Sequence, residues 1–557
     1  MKRRHFLRLS GCSTAALFFN SATAALSSAP GGAPEGAPEP SLHFPTAIAS
    51  WQQGNWASLT GSRERWTLND LVVTLTHTKA GMSIQLQSPK SALEKLRISW
   101  NLPNETSPAS TCLGDAWERS YGDLSWQPIS ATRQSAGATQ PAPWYLLIND
   151  GDNTRAFGVK TDTKCFCSWE ASPKNLNLYL NTQSGGAGIE LGDRTLQAAE
   201  IVTTQSEPGE SPFQTATRFC GIMCDNPRLP KMPVYGINDW YFAYGNNSKK
   251  LILDSTRAMA GLAPASDNRP YSVIDDGWEG PDFRTPNDRF GDMSLVAAEI
   301  KKLGMRPGLW TRPLLANNKD KPTGLTPLRK GESGDRYLDP TLPETRQHID
   351  ATIRLYKDWG FDLVKHDYTS YDFFGRWGFE MKDGMTTPGW HFHDRSQTNA
   401  EILLRLYNTI REAAGNMYLI GCNTVSHLSA GIFELNRIGD DTSGKEWART
   451  LKMGVNTMGF RLPQHKTFYA VDGDCVGLTT QIPWAKNKQW LQLLAESGAP
   501  LFISAQPEAT GPEQQAYIKT CFAMAAQNQP TGEPLDWMTN PQPARWRLND
   551  REVDFSW

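Results

Sequence analysis

The chain has 557 residues, which is too long for one ordinary domain and long enough to bury a large core. Its 56 basic and 58 acidic residues give a formal net charge of −2, so composition gives no electrostatic reason to bind nucleic acid or an anionic membrane surface. The 20 Trp and 15 Tyr either fill a core or bind the flat faces of sugars, and composition alone leaves both interpretations open.

Residues 1–24 have the order of an export signal. An Arg-Arg pair at positions 3 and 4 precedes a weakly apolar stretch, and Ala-Thr-Ala at 22–24 offers a cleavage site. The paired arginines are typical of twin-arginine export, which predicts a periplasmic or secreted protein. Cys12 lies in a stretch that resembles a lipoprotein cleavage box, but almost no apolar segment precedes it, so lipidation is the minor alternative. No other stretch approaches the roughly eighteen apolar residues of a membrane span.

The next two segments differ in composition and in hydrophobic pattern. Residues 25–45 are rich in Pro, Gly and Ala, which predicts an unfolded linker. Residues 46–228 consist of short alternating runs between turn residues, such as LVVTLTH at 71–77. Convincing amphipathic helices are absent there, so this segment predicts an N-terminal β-sandwich.

The cysteines and histidines indicate no metal site. Export permits disulfides, but the spacing of Cys165 with Cys167, and of Cys220 with Cys224, does not determine which thiols pair. Zinc would need a second ligand pair, which the Cys220–Cys224 pair lacks. The cluster His391-x-His393-Asp394 is interpreted as a polar loop.

From residue 229 to 530 apolar strands alternate with amphipathic helices. Gly follows the last helical residue at 304, 360 and 415, which is typical of helix C-termini. Eight strand–helix pairs over this length predict a (β/α)₈ TIM barrel, and residues 531–557 predict a short C-terminal β appendage, so the whole chain is multidomain. The strand candidates are VYGIND (234–239), YSVIDD (271–276), RPGLWT (306–311), FDLVKHD (361–367), MYLIGCN (417–423), FELNRIGDD (433–441), FYAVDGD (468–474) and PLFIS (500–504).

Polar side chains recur where the predicted strands end. In such barrels the active site lies at the carboxyl ends of the strands, so these groups are expected to converge. A single Asp at a strand end is more often a turn or helix-capping residue, but five or six such ends on one rim are hard to explain that way. The groups are Asp239, Trp240, Asp275, Asp276, Trp310, Lys365, Asp367, Cys422, Asn423, Arg437, Asp441, Asp472 and Asp474.

Four motifs in order, VIDDGW (273–278), RPGLW (306–310), VKHD (364–367) and RIGDDT (437–442), resemble the α-galactosidase clan of retaining glycoside hydrolases. The sequence is most similar to glycoside hydrolase family 36, with family 27 a close relative. The resemblance covers the barrel and the domain order. It implies hydrolysis of a terminal α-linked galactose-type sugar from an oligosaccharide or polysaccharide, with no cofactor and no metal.

The resemblance also assigns roles. Asp367 matches the catalytic nucleophile and Asp441 the acid/base, with the adjacent Asp440 as a competing candidate. Retaining chemistry needs the two carboxyl groups about 5–5.5 Å apart. Further matches are substrate-binding residues: Asp275, Asp276, Trp240, Trp310, Lys365, Cys422 and Arg437. The stretch LGDAWERSYGDLSW (113–126) resembles a loop that the sandwich leans over the barrel mouth, which makes Trp117, Glu118 and Arg119 either lid residues or a plain interface.

Two departures from the family pattern keep alternatives open. The stretch GCNTVSHLSAG (421–431) replaces a Gly-rich CSGGG stretch that contacts the sugar 2-position. An α-N-acetylgalactosaminidase, another α-glycosidase or a transglycosylase therefore remains an alternative. The C-terminal domain is short, which leaves the oligomeric state open. A non-catalytic carbohydrate-binding protein is the rival from another class, although binding alone does not require a nucleophile and an acid together.

Overall fold

The computed structural model describes residues 42–557 except 53, 80, 103–105, 130–133, 136–137, 140–141, 317–326, 331–334 and 383. Pro40–Trp557 form one compact unit. The predicted export signal (1–24) and the linker as far as residue 41 lie outside the described residues. Within the described residues, every helix is too short or too polar to cross a lipid bilayer.

The N-terminal region is rich in β-structure. Its strands form a six-stranded sheet (β12-β15-β16-β7-β1-β2) and a nine-stranded sheet (β3-β4-β5-β6-β17-β14-β13-β8-β9), both antiparallel, with β10 and β11 as a separate pair. Alternate side chains are buried along the strands, as in β5, which is the pattern of a sheet that covers a core on one face. The strands are β1 (Ala47–Gln52), β2 (Asn55–Ser58), β3 (Thr60–Ser62), β4 (Arg65–Leu68), β5 (Leu71–His77), β6 (Gly81–Ser88), β7 (Lys95–Asn101), β8 (Thr111–Gly114), β9 (Gln127–Pro128), β10 (Gln134–Ser135), β11 (Ala138–Thr139), β12 (Ala142–Pro143), β13 (Tyr145–Asn149), β14 (Thr154–Val159), β15 (Phe166–Ala171), β16 (Asn175–Asn181) and β17 (Gly192–Gln205).

A helix near the end of this region corrects the expectation that it lacks helices. Helix α1 (Pro212–Met223) begins with a capping box, in which Ser211 Oγ accepts from Gln214 N at 3.2 Å and Gln214 Oε1 accepts from Ser211 N at 2.9 Å. Pro212 fits the first helical position, where its missing N–H costs nothing. The Ser-Pro-x-Gln start and the helical spacing of Phe213, Ala216, Phe219 and Met223, all buried, were therefore the usable signals.

The second region contains a nine-stranded parallel sheet in the order β27-β26-β25-β24-β20-β19-β18-β29-β28. Each of the eight predicted runs overlaps one of its strands, and the ninth strand, β28, lies outside the runs. The small antiparallel sheet β21-β23-β22 follows β20 and was not predicted. The strands are β18 (Tyr235–Asn238), β19 (Tyr271–Ile274), β20 (Arg306–Thr311), β21 (Leu315–Ala316), β22 (Pro327–Lys330), β23 (Arg336–Leu338), β24 (Leu363–His366), β25 (Tyr418–Gly421), β26 (Leu435–Arg437), β27 (Ala470–Asp472), β28 (Cys475–Leu478) and β29 (Leu501–Ala505).

Helices connect the parallel strands. The connection after β25 contains the four-residue α8, and α9 continues into a π-helical turn at Leu451–Asn456. The helices are α2 (Trp240–Ala243), α3 (Lys249–Ala260), α4 (Met293–Lys302), α5 (Pro343–Asp358), α6 (Thr369–Phe374), α7 (Asn399–Ala414), α8 (Ser426–Ser429), α9 (Trp447–Thr450), α10 (Thr457–Arg461), α11 (Trp484–Glu496) and α12 (Pro512–Ala525), with 3₁₀ turns at Gly378–Glu380, Leu462–Gln464 and Pro507–Ala509.

The seventh predicted run (468–474) contains β27 and ends at Gly473 and Asp474, and β28 follows directly after it; Asp474 has a left-handed φ of 76°. β27 pairs with β26 on one side, whereas β28 pairs with β29 on the other. One short chain segment therefore reaches strands at both ends of the sheet order. The sheet curls accordingly, as in a TIM-barrel-like domain.

The C-terminal residues form a small antiparallel sheet of β30 (Glu533–Pro534), β31 (Arg545–Leu548) and β32 (Arg551–Asp554), inside the predicted appendage. Asn549 and Asp550 turn the last hairpin with φ of 49° and 59°, which is typical of a type I′ turn. The domain boundaries at residues 228 and 530 remain predictions. The eight cysteines in the described part of the chain are buried, and the structure gives Cys165, Cys167, Cys220, Cys224, Cys422, Cys475 and Cys521 as free thiols.

Candidate active site

The ends of β18 and β19 bring three aspartates together. Asp239 Oδ1 accepts a hydrogen bond from Asp275 N at 2.7 Å, and Asp276 directly follows Asp275. Burial, reinforced by the charge of Asp275, raises the pKa of Asp239 to about 7. Burial and the nearby Glu279 raise the pKa of Asp276 to about 8. This acidic cluster is therefore not fully ionised near neutrality.

Lys365 counters the charge of this cluster. Its Nζ donates to Asp275 Oδ2 at 2.7 Å, and Asn238 Nδ2 donates to the same oxygen at 2.5 Å. Both side chains of the ion pair are at least nine-tenths buried. The predicted substrate-binding residues Asp275, Asp276 and Lys365 thus lie in one place, with polar atoms that suit sugar hydroxyl groups.

Asp367 directly follows β24. Its Oδ1 accepts from Tyr368 N at 2.7 Å and its Oδ2 accepts from Trp310 Nε1 at 3.2 Å. Burial acts to raise the pKa of Asp367, but the cations Lys365 and Arg119, followed by those two hydrogen bonds, outweigh it and hold the pKa below its usual range. Asp367 is consequently an ionised carboxylate, which is the form that a nucleophile requires.

Asp440 and Asp441 follow β26 and differ in their surroundings. Asp440 is clamped between two guanidinium groups, with Arg119 at 2.8 Å and Arg449 at 2.6 Å. Asp441 lies farther from its cations, at 3.3 Å from Arg437 and 3.6 Å from Arg119, and exposes 38% of its side chain against 15% for Asp440. Desolvation in this recess raises the pKa of Asp441 despite both arginines. The raised pKa suits Asp441 to the role of a proton donor.

The break in the seventh strand anchors Arg437. Arg437 Nη2 lies 2.6 Å from Asp474 Oδ1, and its Nε lies 3.6 Å from Asp472 Oδ2. Asp474 Oδ2 also accepts from the backbone N and the hydroxyl of Thr442 at 2.7 and 2.8 Å. The left-handed turn at Asp474 thus fixes Arg437 and, through Thr442, the loop that carries Asp441.

The loop at 113–126 of the N-terminal region lies beside the end of β26, next to Asp440 and Asp441. Ser120 N donates to Ile438 O at 2.7 Å, and Asp440 N donates to Ser120 O at 2.8 Å, so this loop adds a short parallel bridge beside β26. Of the three candidate lid residues, Arg119 contacts the carboxylates. Buried Glu118 accepts from Asn423 Nδ2 at 2.5 Å and forms an interface. Trp117 packs against Trp144, with ring centroids 5.3 Å apart.

The remaining predicted ligands are Trp240 and Cys422. Trp240 begins α2, where its N–H donates to Asn238 Oδ1 at 2.9 Å and its ring lies 5.6 Å from Tyr244. Cys422 is fully buried after β25, and burial, with the neighbouring charge of Asp367, raises the pKa of its thiol. Cys422 is thus an unreactive thiol beside the nucleophile candidate.

Two residues of the site escaped the sequence interpretation. Tyr368 holds Asp367 through its backbone N–H in a left-handed conformation with φ of 59°, and no motif marks such a turn. Arg449 holds Asp440 from α9. An Arg eight positions after RIGDD carries no recognisable spacing, so only the folded loop identifies it.

The residues described by the structure contain no group of three or more His, Cys, Asp or Glu side chains placed to hold a metal ion. The His391–Asp394 stretch forms loop contacts: His393 N donates to Asp339 Oδ2 at 2.8 Å, and Asp394 Oδ1 accepts from Ser396 N at 2.9 Å.

Comparison with known proteins gives the following likenesses. No protein-family model matches the chain. A probable α-galactosidase from Dictyostelium discoideum is 26% identical over 146 residues, which are 25% of this chain, and the match spans about a third (32%) of that relative's length. An α-galactosidase from Thermus thermophilus, solved with p-nitrophenyl α-D-galactopyranoside, has a TM-score of 0.61 and 19% identity over 89% of this chain and 99% of its own. A family 36 α-galactosidase from Geobacillus stearothermophilus has a TM-score of 0.58 and 14% identity over 88% of this chain and 73% of its own.

The similarity to these two solved enzymes extends over most of the chain, from the N-terminal β-rich region to the curled parallel sheet. At 14–19% identity it concerns the fold. The resemblance predicted from the four motifs is thereby confirmed: this chain has the fold of the family 36 α-galactosidases.

Proposed function

We propose that this protein is a retaining exo-glycosidase that releases terminal α-linked galactose-type sugars. The observation that carries the proposal is that the pKa values of two carboxyl groups near Arg119 are shifted in opposite directions. The pKa of Asp367 is held low and that of Asp441 is raised. Two carboxyl groups whose environments push their pKa values apart form a nucleophile and an acid.

The proposed reaction has two steps. Asp367 attacks the anomeric carbon and forms a glycosyl ester, while the glycosidic bond breaks and Asp441 gives its proton to the departing oxygen. Water then attacks the ester as Asp441 removes its proton, which releases the sugar and regenerates both carboxyl groups. Asp440 is the poorer candidate for the acid because two arginines hold it as an ion pair.

Substrate binding in this proposal relies on Asp275, Asp276 and Lys365 for hydroxyl groups and on Trp240 and Trp310 as aromatic walls. Related structures bind stachyose and raffinose, which supports α-galactosides as the substrate class. The proposal includes an N-terminal β-sandwich and a closed (β/α)₈ barrel whose seventh strand is β27 and β28 together.

The decisive experiment measures hydrolysis of an aryl α-galactoside by the wild type and by Asp367→Ala, with Asp193→Ala, at an exposed position of β17, as a surface control. We expect activity in the wild type and the control, and a loss of at least about 10⁴-fold in Asp367→Ala. Undiminished activity in Asp367→Ala would refute the nucleophile assignment. Activity in none of the proteins would favour the non-catalytic carbohydrate-binding alternative.

Three further measurements define the reaction. Proton NMR of the first product anomer tests retention, because an α-sugar must appear before mutarotation. A panel of aryl α-galactosides, α-N-acetylgalactosaminides and α-glucosides tests which terminal sugar is preferred. The panel is needed because Cys422 and Asn423 belong to the stretch that replaces the Gly-rich stretch of the family. Addition of a sugar acceptor tests transfer against hydrolysis.

Export through the twin-arginine pathway belongs to the same proposal. Its support is the Arg-Arg pair at 3–4 and the cleavage site at 22–24. Replacing both arginines by lysine should leave the protein inside the cell, and unchanged export would contradict this route.

A further inference from the structure

A second concave site is lined mainly by the six-stranded sheet of the N-terminal region, together with Lys382, Gly384 and Met385 of the second region. It is a cavity of 270 Å³, close to the lower end of the size range of ligand pockets, which is about 300 Å³. None of its described lining residues belongs to the strand-end carboxylates of the candidate active site. The lining includes Trp51, Trp56, Lys95, Glu170, Tyr179 and Lys382.

The sheet register explains how these side chains come to share one surface. Trp51 pairs with Trp56 across β1 and β2, and Tyr179 pairs with Ser168 across β16 and β15. Arg97 pairs with Ala49 of β1 on one side and with Tyr179 of β16 on the other, so these positions lie on the same face of the six-stranded sheet. The intervening residues, such as Leu96 and Leu178, are buried in the core.

This outer face is unusual in its aromatic content. The face of a sheet that points away from the core normally carries polar side chains. Here Trp51, Trp56 and Tyr179 are only half-buried, with ring centroids 5.3 and 6.1 Å apart. Lys95 and Arg97 lie over the two indoles at 5.9 and 5.0 Å, so the rings are held in place by cation–π contacts.

A fixed acceptor lies beside the rings. Glu170 Oε2 accepts from Tyr179 Oη at 2.7 Å and from Asn177 Nδ2 at 3.1 Å. Both bonds go to one oxygen, and none of the described residues donates to Oε1. Glu170 therefore keeps a carboxylate oxygen for a ligand donor, while Lys382, exposed across the cavity, can donate to a ligand acceptor.

We propose that this cavity is a second saccharide-binding site, which takes a neutral oligosaccharide through one or two of its rings. Preordered aromatic faces suit the C–H faces of a pyranose, and the carboxylate and ammonium suit its hydroxyl groups. The site goes beyond the proposed hydrolytic function and does not depend on it. Trp117 lines the cavity, and Arg119, two residues later, contacts Asp440 and Asp441, so one loop contributes a side chain to each site.

The test measures calorimetric binding of raffinose, maltotriose and cellotriose to the full chain carrying Asp367→Ala, which prevents turnover. At least one of these trisaccharides should bind at the second site, and Trp56→Ala should weaken that binding by at least tenfold. Trp484→Ala is the matched control, because it removes a half-buried indole of α11 that does not line the cavity. In the chain with Asp367 intact, Trp56→Ala should leave kcat/KM for the aryl α-galactoside unchanged.

Glu170→Gln provides a second variant should Trp56→Ala fail to fold, and it should weaken the same binding at least fivefold. Asp275→Ala is expected to remove binding at the candidate active site. The proposal is overturned if no trisaccharide binding remains in that variant, or if Trp56→Ala and Trp484→Ala weaken binding equally. Failure of the hydrolytic function is a separate result: a second binding site without aryl α-galactoside hydrolysis would refute that function alone.

Discussion

Replacing Arg119 by glutamine should move the basic limb of the pH–rate profile to higher pH. The guanidinium lies 3.6 Å from Asp441 Oδ1 and favours the ionised form of this carboxyl group. Two unit charges at such a distance interact by about 4 kcal/mol at an effective dielectric constant of about 20. Asp441 exposes 38% of its side chain and keeps Arg437, so solvent screening reduces the expected effect of removing Arg119 to about 1 kcal/mol.

The basic limb moves to higher pH because the substitution removes a cation. Without Arg119 the ionised form of Asp441 is less favoured, its pKa rises further, and the proton needed for leaving-group departure is retained to higher pH. The acidic limb should also move upward, because Arg119 helps to hold the pKa of Asp367 low. The assay is kcat/KM for an aryl α-galactoside from pH 3 to about 9, which reports groups of the free enzyme.

Arg449→Gln is the matched control, because Arg449 contacts Asp440 and makes no contact with Asp441. It should leave both limbs in place. Asp440 retains one arginine in either variant, so each should lose less than the roughly 3–5 kcal/mol that follows the breaking of a fully buried pair, and thermal unfolding checks this. A basic limb that stays in place or moves to lower pH in Arg119→Gln would refute the reasoning.

Three other predictions follow from the same geometry. Asp441→Asn should lower kcat by about 10²–10⁴-fold for a substrate with a poor leaving group, and Asp440→Asn by much less; equal losses would return Asp440 as the acid. Because the pKa of Asp239 is raised to about 7, its stabilising effect should be lost as the pH rises, by up to about 3 kcal/mol between pH 5 and 8 in urea unfolding, and Asp239→Asn should flatten this dependence. Gly439→Ala would place a Cβ 2.0 Å from Met453 O, so we expect a loss of about 1–3 kcal/mol and a lower kcat, measured by thermal unfolding and aryl α-galactoside turnover.

The strands were predictable because of how parallel sheets are buried. Both faces of such strands are covered, so strands such as Leu501–Ala505 (LFISA) read as largely apolar stretches, and Asp367 stands out immediately after the fully buried β24. The three-stranded insertion after β20 and the left-handed turns at Tyr368 and Asp474 could not be predicted. Non-glycine residues adopt such turns only where surrounding contacts compensate for the strain, and those contacts exist only in the folded chain.

The choice between Asp440 and Asp441 shows why local sequence leaves a catalytic role undecided. The two residues are chemically identical neighbours on one loop, so no spacing rule separates them. Arg119, a residue of the N-terminal region, distinguishes the two aspartates. Its loop is hydrogen-bonded beside β26 through Ser120, and its guanidinium lies 2.8 Å from Asp440 but 3.6 Å from Asp441. The shorter contact, with Arg449 behind it, commits Asp440 to an ion pair, whereas Asp441 remains open to the cleft with a raised pKa. In the proposed mechanism, the choice of Asp441 as the acid therefore rests on a contact between two regions far apart in the chain.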